Sequence, residues 1–409
     1  MRPELRIALA GMALLAIGLG ISRFLLTPLL PLMQADAGLS LAAGGWLASS
    51  NLIGYLAGAL LCMVVPIPAR FAVRAGLVAA ILSTLCMGLV SSVPAWLFWR
   101  VVGGIASAGL MVHGIAWSMM RLRAAGRESL EGVLFSGTGV GIVVSGVLVA
   151  LLEPFGVNSA AFWIGFGLLC IPPAVLVWRA TGAGTALAPA ANAPAPAAIA
   201  ARAPSGPAWT LAVMYALVGF AYVVPATFLP LIAVEQLHQP ALREWFWPLF
   251  GGATVVATLA VPWLPARIDN RAVLAACCVS MLGGMLLCVA WPTVAGLCIG
   301  TVLIGSVTMP FVMFVMREAR LLAPRDPTRL IATLTTVFSV GQIIGPAAAA
   351  WMAERSHGFD LPMLVAAGIT ALALGFSLLR RPARDTRPVR APRAVATNAG
   401  KACSSMECG

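Results

Sequence analysis

Acidic side chains are scarce in this sequence. Asp and Glu number 14 in 409 residues, and none falls deep in an apolar run. A carrier of organic cations places a carboxylate where the cation binds, because little else offsets a buried positive charge. That absence argues against a cationic ligand. Catalytic signatures are missing as well: there is no HExxH, no GxxxxGK[ST] phosphate loop and no His/Asp/Glu cluster within a span. These gaps argue against an enzyme and against ATP as a direct energy source. The nine cysteines form no CxxC pair and no Cys/His metal spacing. Seven lie in apolar runs as small hydrophobes, with Cys403 and Cys408 near the C-terminus. Neither metal nor cofactor is expected. Charged residues make up only 10% of the chain, against roughly 25% in soluble domains, so a water-soluble fold is excluded.

What remains is apolar: 60% of residues are hydrophobic and the mean hydropathy is +0.96. The apolar runs are continuous and reach the ~20 residues a spanning helix needs, without the alternation of a membrane barrel. The expected fold is therefore all-α, a polytopic membrane protein. Twelve spans are read at 7–32, 43–65, 71–91, 95–120, 130–152, 159–179, 208–234, 245–264, 272–291, 294–316, 329–353 and 361–379. The first run contains Arg23, is too long for a signal peptide and is followed by many more, so it counts as a mature span. Segment 181–207 is rich in Ala and Pro without apolar periodicity, which marks a linker. It divides the chain into a six-helix half at 1–180 and another at 208–380, followed by a basic, disordered tail at 381–409.

The arginines support this count. Arg243 and Arg355 fall in one set of loops, Arg23 and Arg100 inside spans, and every other Lys or Arg in the opposite set or at the termini. This asymmetry places both termini in the cytoplasm. It also accounts for the formal charge of +12 without nucleic-acid binding. The tail arginines are placed to touch anionic lipid headgroups.

A repeat supports the division. "GISRFLLTPLLPL" from Gly20 and "GFAYVVPATFLPL" from Gly219 align at a constant offset, pairing Pro31 with Pro230 and Arg23 with Tyr222. "GIVVSG" from Gly141 and "GQIIGP" from Gly341 align at nearly the same offset. Parallel repeats around a long central loop are a transporter signature, with solute held between the halves near the membrane midplane.

Arg23 is the most costly residue in the chain. A charge at the bilayer centre costs about 2.5–3.5 kcal/mol on insertion scales. On a regular helical wheel it shares a face with Ala16, Gly20, Thr27 and Leu30, a mostly small or weakly polar stripe that suits protein or water better than lipid. Its guanidinium is either a fork for an anionic group or a structural tie to a neighbouring helix. Arg100 presents the same choice between gating or coupling and an interhelix bond. Asn51 and Tyr55, and Tyr215 and Tyr222, recur at helical spacing as candidate cavity walls, with Gln342 a weaker candidate; the alternative is that these groups bond neighbouring helices. His113 invites a proton-relay reading, yet it lies about 140° around the wheel from Arg100, which favours a bonded structural histidine.

The sequence resembles the major facilitator superfamily across 1–380. "RVVGGIASA" from Arg100 is similar to that superfamily's span-four motif, and "GQIIGP" (Gly341, Gly345, Pro346) resembles a GxxxGP gating element that many exporters carry on span five. The loop-two motif is nearly absent, since "VPIPARFAVRAGL" keeps Arg70 and Arg74 without an Asp. More specifically, "GISRFLLTPLLPLMQ", "GWLASSNLIGYLAGALL" and "VVPATFLP" resemble the YbfB/YjiJ branch of bacterial carriers. The resemblance implies a monomeric secondary carrier of the bacterial inner membrane. It implies alternating access but no chemical identity for the solute; the leaning to a small organic anion such as a carboxylate comes from Arg23 and the missing intramembrane acids, and a coupling proton or counter-solute would be the other partner. Proton-driven efflux of amphipathic compounds is the first alternative. A non-transporting sensor or scaffold is the second, although 181–207 and 381–409 offer it no soluble domain.

Overall fold

The computed structural model describes residues 3–65, 67–182, 206–237, 244–265, 268–323 and 327–379. Most of the linker expected at 181–207, and the tail at 381–409, lie outside the described residues. Among the described residues twelve helices are long and apolar enough to cross a membrane. They are α1 (Pro3–Ala37), α2 (Leu41–Cys62), α3 (Ala69–Leu89), α4 (Val93–Ala124), α5 (Glu131–Phe155) and α6 (Ser159–Ala180), then α7 (Ala208–Gln236), α8 (Phe246–Trp263), α9 (Asn270–Ala290), α10 (Val294–Leu322), α11 (Thr333–Ser356) and α12 (Asp360–Leu378). Helices satisfy their own backbone polar groups, which hydrocarbon cannot do for them.

Close packing relies on glycine. Gly54 and Gly104 bring α2 and α4 to backbone contact: a Cβ on Gly104 would meet the Asn51 carbonyl, and one on Gly54 the Val101 carbonyl. The repeat reappears as geometry. Gly141 of α5 faces the Ala16 carbonyl of α1, and Gly341 of α11 faces the Ala216 carbonyl of α7. Asp36, at the end of α1, accepts from the Ser159 backbone N–H (2.6 Å) and hydroxyl (2.9 Å) at the start of α6. Glu235, at the end of α7, accepts from the Phe359 backbone N–H (3.2 Å) just before α12. Each half thus ties its first span to its last by a carboxylate at a helix N-terminus, where orphan N–H groups and the dipole favour negative charge. Asp36→Ala should cost about 1–2 kcal/mol and lower the melting temperature by a few degrees at most. An unchanged melting curve in detergent would show that the tie carries no load.

The regular wheel drawn through Arg23 does not hold. α1 is helical over Pro3–Leu15, passes through a wider π segment at Ala16–Ile21, turns at residues 22–25 and resumes at Leu26–Ala37. Pro28 has no N–H for the Phe24 carbonyl, which accepts from Thr27 instead (3.1 Å), while Ser22 N–H reaches back five residues to Ile17 (2.9 Å). The four wheel neighbours therefore separate. Ala16 and Gly20 pack on α5, Leu30 fills the space beside Gly44, and the Thr27 hydroxyl donates to the Ala226 carbonyl of α7 (2.8 Å). Thr27 and Ala226 stand at repeat-related positions, so this bond crosses the pseudo-twofold axis.

Between the halves, α5 packs along α8 through Gly139, Gly146 and Gly251. α2 meets α11 through the Ser49 hydroxyl on the Ile343 carbonyl (2.8 Å) and the Ala42 N–H on Glu354 (2.9 Å). With Thr27–Ala226, these bonds close the halves together on the side where α1 ends. α10 runs six residues past the span expected at 294–316 and buries Glu318 near its end, beside Arg271 (3.6 Å) and the Asn270 amide (3.1 Å). Glu318 lies just beyond the span read at 294–316, and the longer helix carries it into the protein interior.

Candidate functional site

A cavity between α1, α7, α9, α10 and α11 encloses about 510 Å³, counted out to its open side. The turn in α1 delivers Arg23, flanked by Leu19 and Phe24. α7 supplies Val218 and Tyr222, and α11 supplies Phe338 and Gln342. The wall contributed by α9 and α10, including Cys277, Met281, Thr308, Met309 and Phe311, escaped sequence reading. Nothing in an apolar run distinguishes a side chain facing a cavity from one facing lipid; only Pro310, within α10, hints at irregularity.

The polar groups on this wall are few. Arg23 Nη2 and both atoms of the Gln342 amide are buried without a hydrogen-bond partner. The Arg23 guanidinium lies over the Phe24 ring (5.0 Å) and the Tyr55 ring (5.6 Å), which steadies its charge by cation–π attraction. Among the described residues it makes no ion pair. No carboxylate lines the cavity. The site therefore offers one cation, one amide and the side chains of Tyr222 and Thr308 on an otherwise apolar surface. It suits an amphipathic guest with an acceptor or anionic end.

Arg100 does not line this cavity. It is 3% exposed, with Nε on the Leu47 carbonyl (3.2 Å), Nη1 on the Ser22 carbonyl (2.8 Å) and Nη2 on the Arg23 carbonyl (2.9 Å). The turn of α1 exposes two of those carbonyls, and a guanidinium fork is shaped to take them. Of the two roles open for Arg100, the geometry displays the interhelix bond: it fixes the turn that carries Arg23.

Of the predicted wall residues, the structure brings Arg23, Tyr222 and Gln342 together and disperses the rest. Asn51 is fully buried and donates Nδ2 to the Arg100 carbonyl (3.0 Å). It faces a smaller chamber on the other side of Arg23. Tyr55 stands beneath Arg23. Tyr215 stacks on Phe338 (4.2 Å between centroids, 14°) and lies behind the cavity wall. Gly341 and Gly345 press against the backbone of α7, and the Pro346 carbonyl against Gly45 of α2. The expected gating element is thus a packing seam, because α11 needs small residues on both faces. His113 sits in a second π segment, Leu110–Gly114, buried, with Nε2 unpartnered. It lines neither cavity, and the bond expected for a structural histidine is not made at that atom.

The family model described as "Uncharacterised MFS-type transporter YbfB" matches residues 15–378. A protein named "Chloramphenicol resistance protein", from Streptomyces lividans, is 28% identical over 401 residues, covering 93% of this chain and 97% of its own. Among solved structures, the nucleoside transporter NupG superposes with a TM-score of 0.69 at 14% identity, covering 93% of this chain and all of that one. The human organic anion transporter MFSD10 (TETRAN) gives 0.63 at 17%, covering 92% and 100%. At these identities the two structures speak for the fold alone.

Proposed function

Since the chain belongs to the YbfB-type family of MFS transporters, we propose that it is a gradient-driven carrier of small amphipathic organic anions, carboxylates foremost. The carrying observation is Arg23, an unpaired cation on the wall of the central cavity, beside a Gln342 amide with no protein partner. A carboxylate would take the guanidinium fork and the amide, and its apolar body would lie on Phe311, Met281 and Phe338. In this reading the bonds from Thr27, Ser49 and Ala42 hold one side shut while the other admits solute, and the halves rock to reverse this. The arginine-rich loops support a reading with both termini in the cytoplasm of a bacterial inner membrane, in which the open side faces the cytoplasm. The chain works as a monomer of two halves, 1–180 and 208–380, joined by the linker at 181–207, with a coupling proton or counter-solute as second partner.

A second reading is export of neutral amphipathic compounds. The dominance of apolar wall and the name of the Streptomyces relative favour it.

Ligand-dependent melting of the purified protein in detergent separates the two, because a ligand that binds only the native state raises its stability. Aryl and alkyl carboxylates are expected to raise the melting temperature of the wild type and leave Arg23→Gln unmoved. If neutral amphiphiles stabilise both proteins equally and carboxylates stabilise neither, the anion reading fails and export leads.

A further inference from the structure

Arg23 and Phe24 form a partition. Behind them, between α1, α2, α4 and α7, lies a second chamber of about 290 Å³, counted out to its open side. Its polar lining is Arg23, Arg100, Asn51, Thr27 and Thr227, and the rest is Phe24, Leu26, Ala48, Leu52 and Val223. Two guanidiniums thus meet one small space. Neither makes an ion pair among the described residues, and no Asp or Glu lines the chamber or the larger cavity. The three carbonyls on Arg100 solvate its charge but do not neutralise it. Asp36, Glu235 and Glu354 are engaged at helix ends, on Ser159, Phe359 and Ala42. Two like charges in a medium of low dielectric call for a counter-charge.

We propose that this chamber binds a small inorganic anion of halide size, held against the Arg23 guanidinium and the Thr227 hydroxyl with Arg100 supplying the second charge. Thr227 is buried and its hydroxyl makes no hydrogen bond among the described residues, so it is available as a donor. Thr27 is not, since it already donates to Ala226. The fully buried Asn51 Oδ1 has no partner and repels a bare anion. A water beside the ion satisfies it, as buried waters commonly do for such groups. The two guanidiniums and the smaller space favour a small ion with a water over an organic guest. The site stands whether the transported solute is anionic or neutral. With an anionic solute the two ligands compete across Arg23; with a neutral one the ion remains as a resident counter-charge.

The test is melting of the purified full chain in sodium chloride or bromide against sodium gluconate at constant ionic strength, without organic solute. The wild type should gain several degrees with a saturable halide midpoint. Thr227→Val should weaken that midpoint about tenfold, Thr227→Ser should restore it, and Gln342→Ala, in the other cavity, should not move it. Anomalous scattering from bromide should place one ion in the chamber. Identical melting in halide and gluconate overturns the proposal. So does a halide response that Gln342→Ala abolishes or that Thr227→Val leaves intact, since either puts the ion elsewhere. The carboxylate reading fails on a separate measurement, the Arg23-dependent response to organic acids in gluconate.

Discussion

Arg100→Leu is expected to yield a chain that aggregates on extraction into detergent. Leu has nearly the bulk to fill the site but no donor. It leaves the carbonyls of Ser22, Arg23 and Leu47 without the guanidinium. Removing one partner from a buried charged interaction typically costs 3–5 kcal/mol, and each abandoned buried acceptor about 1–3. That is comparable to the whole stability of many domains. Arg100→Lys keeps the charge, but a single ammonium cannot span carbonyls on both α1 and α2. It should extract as a monodisperse but less stable protein. Size-exclusion profiles and melting curves in one detergent read both variants. A purely gating or coupling arginine predicts the opposite pattern: Arg100→Leu would run and melt like the wild type and fail only in transport.

Gly104→Val should be nearly as damaging. Even a methyl group at Gly104 would sit against the Asn51 carbonyl, 2.7 Å from the Tyr55 nitrogen and 2.9 Å from the Gly54 carbonyl carbon. All three are backbone atoms of a helix, so none can swing aside, and α2 must move off α4. The same seam carries the Asn51 bond to the Arg100 carbonyl and the Arg100 bond to Leu47, so the displacement breaks polar contacts as well as packing. Overpacking costs of about 1–3 kcal/mol are a lower expectation here. Gly165→Val is the control, because no atom lies within 4 Å of a Cβ there. If the two variants melt alike, the close approach of α2 and α4 is not what holds the N-terminal half together.

Much of the architecture was legible because a bilayer imposes one rule on every span. The twelve apolar runs matched helices to within a few residues, and Arg23 announced a cavity because hydrocarbon would not tolerate it. Tyr222 and Gln342 followed as polar groups in apolar helices. The errors share a physical origin. The wheel through Arg23 assumed 3.6 residues per turn across a stretch holding Gly18, Gly20 and Pro28, where the ladder gives way. Those residues were the available warning. Asp36 and Glu235 carried the repeat into the helix ends, but their partners lie over a hundred residues away and only folding joins them. The α9–α10 wall left no trace, because Met281, Val307 and Val312 satisfy lipid and cavity equally well.

The two carboxylate ties have a mechanical consequence. In each half the first span also packs along the last, and without the ties that packing alone would hold the two edges of the fan of helices together. Asp36 on Ser159 and Glu235 on Phe359 close each fan into a ring. When the chain is pulled from its C-terminus by a force probe, α12 should not slip out as a lone helix at low load. Its clasp to α7 must part first, and the C-terminal six spans should then yield in one or two large steps. Glu235→Ala should split those steps into a staircase of single hairpins.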